Sequence, residues 1–343
     1  MPETRDLSYA EAVNAALARA LDERPETLLF GEDVALPGGV FGVTKGLRRR
    51  FGERVFDTPI SESAIIGGAV GAAMFGRRPI VEIMWADFFL VALDQVVNQA
   101  ANVRYVSRGA VTAPITIRTQ QGSAPGACAQ HSQSLEAVFA HVPGLRVAMP
   151  ATHQDAYDLL LAAVWCDDPV IVIENRTLYH TGRRPVGVNG GIQPAEGALI
   201  RRPGADVTLL TWGAMLHAAL EAAELAAGRG IDAEVIDARW IRPLDLDTVL
   251  ASVERTGRLV VAHEAHTTGG VGGEVLAAVA ESGVRLRSAP LRVGAPPVRM
   301  PAAPALARAV VPNALTIADA LIRSAAGGSV GAAAEGAADV PRR

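Results

Sequence analysis

VTLLTWGAMLHAALEAAELAAGRGIDAEVID, residues 207–237, holds a strand, a helix and a second strand in one short run. Val207 to Trp212 is a brief apolar segment of strand length. Ala214 to Ala227 then spaces small and apolar side chains at helical intervals, and Ala233 to Asp237 is apolar again. Strands that alternate with helices in this way build a mostly parallel sheet with helices on both faces.

The same alternation extends in both directions. Downstream, the spacing predicts a helix over Leu246 to Arg255, a strand over Leu259 to His263 and a helix over Gly272 to Ser282. Upstream, Tyr9 to Leu21 is helical by its apolar positions Ala12, Val13, Ala16, Leu17 and Ala20, with Ser8 as N-cap. Short strands are expected at Thr27 to Phe30, Pro79 to Ile83, Pro114 to Ile117, Leu145 to Met149 and Val170 to Ile173. A long helix is expected from Phe89 to Tyr105 and another over Asp155 to Trp165. The Pro- and Gly-rich stretch from Arg183 to Gly204 interrupts the pattern. The chain therefore divides into a first α/β domain over 1–182, a linker over 183–204, a second α/β domain over 205–323 and an Ala/Gly-rich tail over 324–343 expected to be disordered.

Composition narrows the function. The 343 residues carry 32 basic and 36 acidic side chains, a net charge of −4, and that near-neutral sum argues against a nucleic-acid or anionic-membrane partner, which needs clustered positive charge. Half of the residues are hydrophobic, enough for a sizeable core. Two cysteines, Cys128 and Cys166, make no disulfide framework and no zinc-type spacing. The N-terminal residues Met1 to Tyr9 show no signal-peptide pattern, so a cytoplasmic location is expected.

Several motif matches fail on context. No GxxxxGK[ST] is present. Gly269 to Gly273 follows a strand and opens a helix, but Val275 stands where a dinucleotide fingerprint needs a small residue. His263-Glu264-Ala265-His266 lacks the i,i+4 histidine spacing that places two zinc ligands on one helix face. Gly327 to Gly331 spells GxSxG inside the low-complexity tail, with no strand before it.

Other segments are denser in chemistry. Gly31-Glu32-Asp33-Val34 leaves a strand with two carboxylates, and Pro37 to Gly42 forms a glycine-rich loop. Asp57-Thr58-Pro59-Ile60-Ser61-Glu62 puts a carboxylate in the first turn of a helix. Such a glutamate ordinarily only complements the helix dipole, worth under ~1 kcal/mol; its apolar flanks Ile60, Ile65 and Ile66 make it a catalytic candidate as well. Gln130 to Ser134 carries His131 in a Gly/Ala-rich loop, where a histidine is either a bystander or a proton carrier. Gly67, Gly68, Gly71 and Ala72 put small residues on one helix side, which permits close packing.

These residues resemble a known family. Gly31 to Val34, Gly38 to Phe41, Arg54 to Glu62, Asp94 to Val96, His131 to Ser134 and Pro143 to Leu145 are similar to the β subunit of the thiamine-diphosphate-dependent decarboxylating component of 2-oxoacid dehydrogenases. That group includes the pyruvate, branched-chain and acetoin enzymes. Val207 to Gly213, Asp237 to Asp245 and His263-Glu264 continue the likeness, which runs from about residue 7 to about 322.

The resemblance implies a transketolase-like pyrimidine-binding domain followed by a transketolase C-terminal domain. It implies thiamine diphosphate shared with an α subunit, whose GDG…N motif holds the diphosphate and Mg²⁺; no GDG occurs here. Two α and two β chains would form the active heterotetramer. Glu62 matches the glutamate that hydrogen-bonds the ring nitrogen of the cofactor's aminopyrimidine. His131 matches a histidine implicated in passing the acyl group to the lipoyl arm of an acyltransferase core. Trp85 falls where a bulky group lies near the pyrimidine, and Glu32, Trp85 and Glu62 are the expected cofactor-binding residues. Met84-Trp85 replaces the more usual Gln-Phe, removing one polar contact. Some members hold a structural monovalent cation near the strands matching Ile115 and the Cys166 to Pro169 turn; the local residues differ here.

The implied activity is oxidative decarboxylation of a 2-oxoacid, pyruvate or branched-chain, with acyl transfer to lipoamide. Two alternatives stand beside it: a subunit acting on acetoin or a specialised acid, and a non-catalytic assembly paralogue. Retention of Glu62 and His131 speaks against the paralogue.

Overall fold

The computed structural model describes residues 3–124, 126–192 and 196–327. Strands in chain order are β1 (Glu3–Leu7), β2 (Thr27–Gly31), β3 (Val55–Asp57), β4 (Arg78–Ile83), β5 (Thr116–Gln121), β6 (Arg146–Ala148) and β7 (Val170–Asn175). They continue as β8 (Arg184–Val188), β9 (Leu199–Arg202), β10 (Val207–Thr211), β11 (Ala233–Asp237), β12 (Trp240–Arg242), β13 (Leu259–His266) and β14 (Leu291–Ala295).

The first sheet has the order β12-β6-β7-β5-β4-β2-β3, parallel except for β12. Strands β5 and β7 are buried along their whole length, as a sheet covered on both faces requires. Register aligns their carboxyl ends: Gly31 lies beside Asp57 and Glu82, Ile83 beside Thr119, and Gln121 beside Asn175. From β2 the chain passes to β3 on one side, while β4 lies on the other. That reversal opens a crevice outside the carboxyl ends, the place where open α/β sheets bind ligands.

The second sheet has the order β14-β13-β10-β11-β9, parallel except for β9. One apolar cluster continues through both sheets, with Val147 and Met149 from the first beside Leu210, Trp212 and Ile236 from the second.

Ser8 caps the helix Tyr9–Glu23 through a capping box with Glu11. Elsewhere the structure departs from the expectations. The stretch 183–204 carries two strands: β8 pairs with β1, and β9 forms the antiparallel edge of the second sheet. Both are edge positions, where Pro185 costs no interior ladder bond. The segment expected as one helix over Phe89 to Tyr105 is broken into a 3₁₀ turn (Leu90–Ala92), a π-turn (Gln95–Ala100) and a short α-helix (Val103–Val106). Ala101 N–H reaches back to the Val96 carbonyl at 3.0 Å, and the wider turn buries Ala100 and Ala101 together. Gly144 then packs directly on the Ala101 carbonyl, where a Cβ would come within 2.3 Å.

Of the tail, Ser324 and Ala325 end the helix Ala314–Ala325, which corrects its expected start; residues 328–343 lie outside the described residues. The run 304–325 is apolar enough on average to span a bilayer. It is two helices, Pro304–Val310 and Ala314–Ala325, and the second buries Ile317, Ala318 and Leu321 in the core of the second domain.

Candidate active site

The crevice is assembled from the loops that leave β2, β3, β4, β5 and β7. At β2, a Cβ on Gly31 would sit 2.7 Å from the Glu82 carbonyl oxygen, so only glycine lets the two strands end side by side. The chain then turns through Glu32 and Asp33. Asp57, at the end of β3, accepts hydrogen bonds from the Ala35 N–H (2.6 Å) and the Leu36 N–H (3.0 Å) and holds that turn in place. Glu62 opens the helix Glu62–Met74 and is half-buried. Among the described residues its carboxylate has no hydrogen-bond or ion-pair partner. Burial, with the charges of Asp33 and Glu62, raises the pKa of Glu32. Three carboxyl groups, Glu32, Asp33 and Glu62, thus share one corner.

At the end of the neighbouring strand β4 stands an aromatic cluster. Trp85, just past β4, adopts φ 69°, ψ 127°, a backbone state costing about 1–3 kcal/mol that persists only where the surroundings impose it. They do so from several sides. The Trp85 N–H donates to Gln120 Oε1 at 3.4 Å. Phe41, from the glycine-rich loop, meets the indole at right angles at 5.4 Å, and His131 does the same at 5.3 Å. The Arg176 guanidinium lies 4.6 Å from the indole centroid. Phe88 closes on His131 at 5.3 Å.

Beneath this cluster lies a buried ionic network. Arg118, wholly buried on β5, donates to Glu174 through Nε (2.7 Å) and Nη2 (2.8 Å) and to Glu82 through Nη1 (2.5 Å). Gln120 Nε2 also donates to Glu82, at 3.2 Å, and the Tyr179 hydroxyl donates to Glu174. Phe41 stacks on Tyr179 at 4.8 Å, so the network supports the aromatic cluster from below. Burial pushes the Glu82 carboxyl up against the pull of Arg118, and the charge of Glu174 adds to the rise.

The second domain reaches the same loops. Glu264 accepts from the Ser123 N–H and from Asn175 Nδ2, both at 2.7 Å, and burial raises its pKa. Glu136, past the His131 loop, accepts from Gln121 Nε2 (3.0 Å) and Trp212 Nε1 (3.3 Å). His263 stacks on Trp212 at 5.2 Å. A Cβ on Gly270 or Gly272 would come within 2.9 Å or 2.7 Å of its imidazole. The glycine cluster at 269–273 therefore makes room for a buried histidine, a physical reason for its failure as a nucleotide fingerprint.

Glu32, Glu62, Trp85 and His131 all stand at the carboxyl end of the first sheet, with Trp85 and His131 in direct ring contact. Three buried polar atoms that have no partner among the described residues lie at the same end: Thr58 Oγ1, Asp87 Oδ2 and Ser132 Oγ. Carboxyl groups and an aromatic cluster at one end of a sheet suit a flat, nitrogen-bearing ring such as an aminopyrimidine. An acidic corner does not suit a diphosphate. Among the described residues no group of three or more His, Cys, Asp or Glu side chains could hold a metal ion. A cleft of 1720 Å³ lies elsewhere; Arg104, Arg146, Arg242 and Arg292 line it, and none of the four candidates does. The chemistry, rather than the cavity volume, marks the site.

Sequence reasoning did not single out Arg176, Gln120 or Phe41, and it gave Glu264 no role. The signal for Arg176 was available: Glu174-Asn175-Arg176 puts three polar residues at the end of an otherwise apolar strand.

Residues 5–181 match the transketolase pyrimidine-binding domain and residues 196–317 the transketolase C-terminal domain. The chain is 42% identical over 336 residues to the β subunit of acetoin:2,6-dichlorophenolindophenol oxidoreductase from Cupriavidus necator, covering 94% of this chain and 99% of that one. It is 38% identical over 310 residues to the 2-oxoisovalerate dehydrogenase β subunit of Bacillus subtilis (90% and 95% covered). With the pyruvate dehydrogenase E1 component β subunit of the same organism the identity is 40% over 297 residues (86% and 91% covered). Among solved structures, a split-gene transketolase described as an inactive β4 tetramer superposes with a TM-score of 0.76 at 24% identity, covering 94% of this chain and 100% of that one; the likeness shows the fold. By domain content and by full-length similarity, this chain belongs to the transketolase-like family of β subunits of the pyruvate, branched-chain and acetoin dehydrogenases.

Proposed function

We propose that the chain is the β half of a thiamine-diphosphate-dependent 2-oxoacid dehydrogenase, active with an α subunit in a heterotetramer and passing its acyl product to lipoamide in the cytoplasm. The observation that carries this reading is the partner-free Glu62 carboxylate at the same carboxyl end of the first sheet as the Trp85–His131 contact. The bound cofactor would supply the carbanion-stabilising electron sink for loss of CO₂. The residues supply orientation, proton placement and exclusion of water.

Glu62 would hydrogen-bond the ring nitrogen of the aminopyrimidine through a carboxyl oxygen, and so bias the proton distribution of that ring. Glu32, whose pKa is raised by burial and by the charges of Asp33 and Glu62, would stand beside that hydrogen bond as a second carboxyl group. Trp85 would cover the ring and keep water from the hydrogen bond at Glu62, which strengthens it. His131, at the edge of the indole, would give a ring-nitrogen proton to the sulfur released when the dithiolane of lipoamide opens. The absence of GDG from the sequence agrees with a diphosphate and Mg²⁺ held by the α chain.

A second reading, acetoin as substrate, has one observation in its favour. Met84 brings a thioether where the family more usually has glutamine, making the approach to Trp85 less polar.

Co-expression with the cognate α chain, followed by dye-linked assay of pyruvate, 2-oxoisovalerate and acetoin with and without lipoamide, tests both. The expected result is turnover of one 2-oxoacid that needs both chains, with His131→Ala impairing lipoamide acylation more than dye reduction. Turnover of acetoin alone would favour the second reading. No turnover of any of the three by the assembled chains would sink the proposal.

A further inference from the structure

Arg176 sits where three parts of the crevice meet, and nothing in the reading above gives it a task. Its position begins in the sequence at the end of β7. Asn175 accepts hydrogen bonds from the Thr177 N–H (3.0 Å) and the Thr177 hydroxyl (2.8 Å), an Asx turn that ends the strand and directs residue 176 inward. Gly122, at φ 99°, lets the neighbouring β5 strand end against Asn175; a Cβ there would lie 2.5 Å from Asn175 Nδ2. The Gly122 carbonyl is thereby brought to the guanidinium.

Arg176 is 4% exposed. Its Nε donates to the Gly122 carbonyl at 3.0 Å, and its Nη2 donates both to that carbonyl and to the carbonyl of His131. Gly122 opens the loop between β5 and the helix Glu136–Ala140, and His131, further along the same loop, carries the imidazole. The same guanidinium lies over the Trp85 indole, its central carbon 4.6 Å from the ring centroid. Asp87 and Glu264 supply the nearby negative charge, and Asp87 Oδ1 also accepts from Gln133 N–H (3.3 Å) and Nε2 (3.0 Å), just beyond His131.

We propose that Arg176 is a positioning residue: one guanidinium ties the start of the loop at Gly122 to the backbone of His131 and lies over Trp85, holding imidazole and indole at right angles beside the cofactor crevice. Lysine is no substitute, because an ammonium is a point charge with neither the fork of donors nor the flat face. Misplacing a reacting group by about 1 Å can cost on the order of 100-fold in rate. The catalytic consequence rests on the function proposed above; the geometric claim does not.

The test compares Arg176→Met and Arg176→Lys in the full chain carrying Trp165→Phe. Trp212 and Trp240 are buried, so Trp85 is then the indole open to a neutral quencher. Acrylamide quenching should rise by roughly twofold in both variants as the indole loses the planar group that covers it. In the enzyme reconstituted with its α chain, the ratio of lipoamide acylation to dye reduction should fall on the order of tenfold or more. Unchanged quenching overturns the clamp on Trp85, and an unchanged ratio overturns the clamp on His131. Full rescue by lysine shows that charge alone suffices, and overturns the planar clamp. Should Arg176→Met fail to fold, the lysine variant decides by the same two readouts. If the wild-type assembly turns over no substrate, the functional reading fails while quenching still decides the geometry.

Discussion

Glu62 stands at the head of a helix whose other side buries Ile65, Ile66, Ala69 and Val70, so its backbone is fixed by packing while its carboxylate is left without a protein partner. That combination separates its chemistry from its structural role. Removing the carboxylate breaks no hydrogen bond and opens no cavity, so Glu62→Ala should leave the melting temperature within a degree or two, as expected for a change of about 0.5 kcal/mol or less. Cofactor-dependent turnover should fall by orders of magnitude, since a single preorganised hydrogen bond in a water-poor site is worth about 100- to 1000-fold. Turnover near the wild-type rate would remove Glu62 from the mechanism. The residue was legible before any coordinates because its pattern is local: a strand end, a proline and a helix start within six residues. Arg176 was not, because its three partners, Gly122, His131 and Trp85, are scattered over the chain and meet only through sheet register.

At the scale of elements, β4, β5 and β7 are tied together where their carboxyl ends support the crevice, and the tie is ionic rather than apolar. The alternation of apolar segments with helices made the strands readable. It could not reveal that Glu82, Arg118 and Glu174 point into the sheet interior, because a charged residue in a strand ordinarily faces solvent. Their burial is possible only as a set: Arg118 satisfies two carboxylates, and Gln120 and Tyr179 take up remaining oxygens. Removing the cation leaves two buried like charges. Arg118→Met should therefore cost about 3–5 kcal/mol, read as a large fall in thermal or denaturant midpoint. Adding Glu82→Gln and Glu174→Gln to that variant should recover part of the loss, since neutral amides remove the uncompensated charge. A triple variant no more stable than Arg118→Met would show that shape, not charge, governs this layer. The helix expected over Phe89 to Tyr105 failed for a related reason: its apolar spacing was readable, but the π-turn that buries Ala100 and Ala101 answers to a contact with Gly144 far along the chain.

Across the whole molecule, the two α/β units read from the sequence are present but stitched more closely than a Pro/Gly-rich linker suggests. Strand β12, from the second half of the chain, completes the first sheet by pairing Trp240 with Ala148. Glu264 and the Glu136–Trp212 contact bring the second domain to the crevice. A third seam is ionic: Arg201 on β9 joins Asp155, in the helix His153–Trp165 of the first domain, to Asp237 on β11, with the Asp237 bond at 2.8 Å. Burial first, and the charge of Asp155 second, push Asp237 up to about 6 against the pull of Arg201. The unfolded chain ionises this group near 3.8, so from about pH 4 to 6 it loses its proton while the folded protein retains its own. Stability contributed by the protonated carboxyl is therefore complete at low pH and is lost as pH rises through about 6, a change on the order of 3 kcal/mol. Asp237→Asn keeps the shape and one acceptor but has no proton to lose. Its melting temperature relative to wild type should become more favourable between pH 4.5 and pH 7.5. A difference that stays flat over that interval would mean that Arg201 compensates the charge fully, and that the seam between the domains carries no pH-dependent penalty.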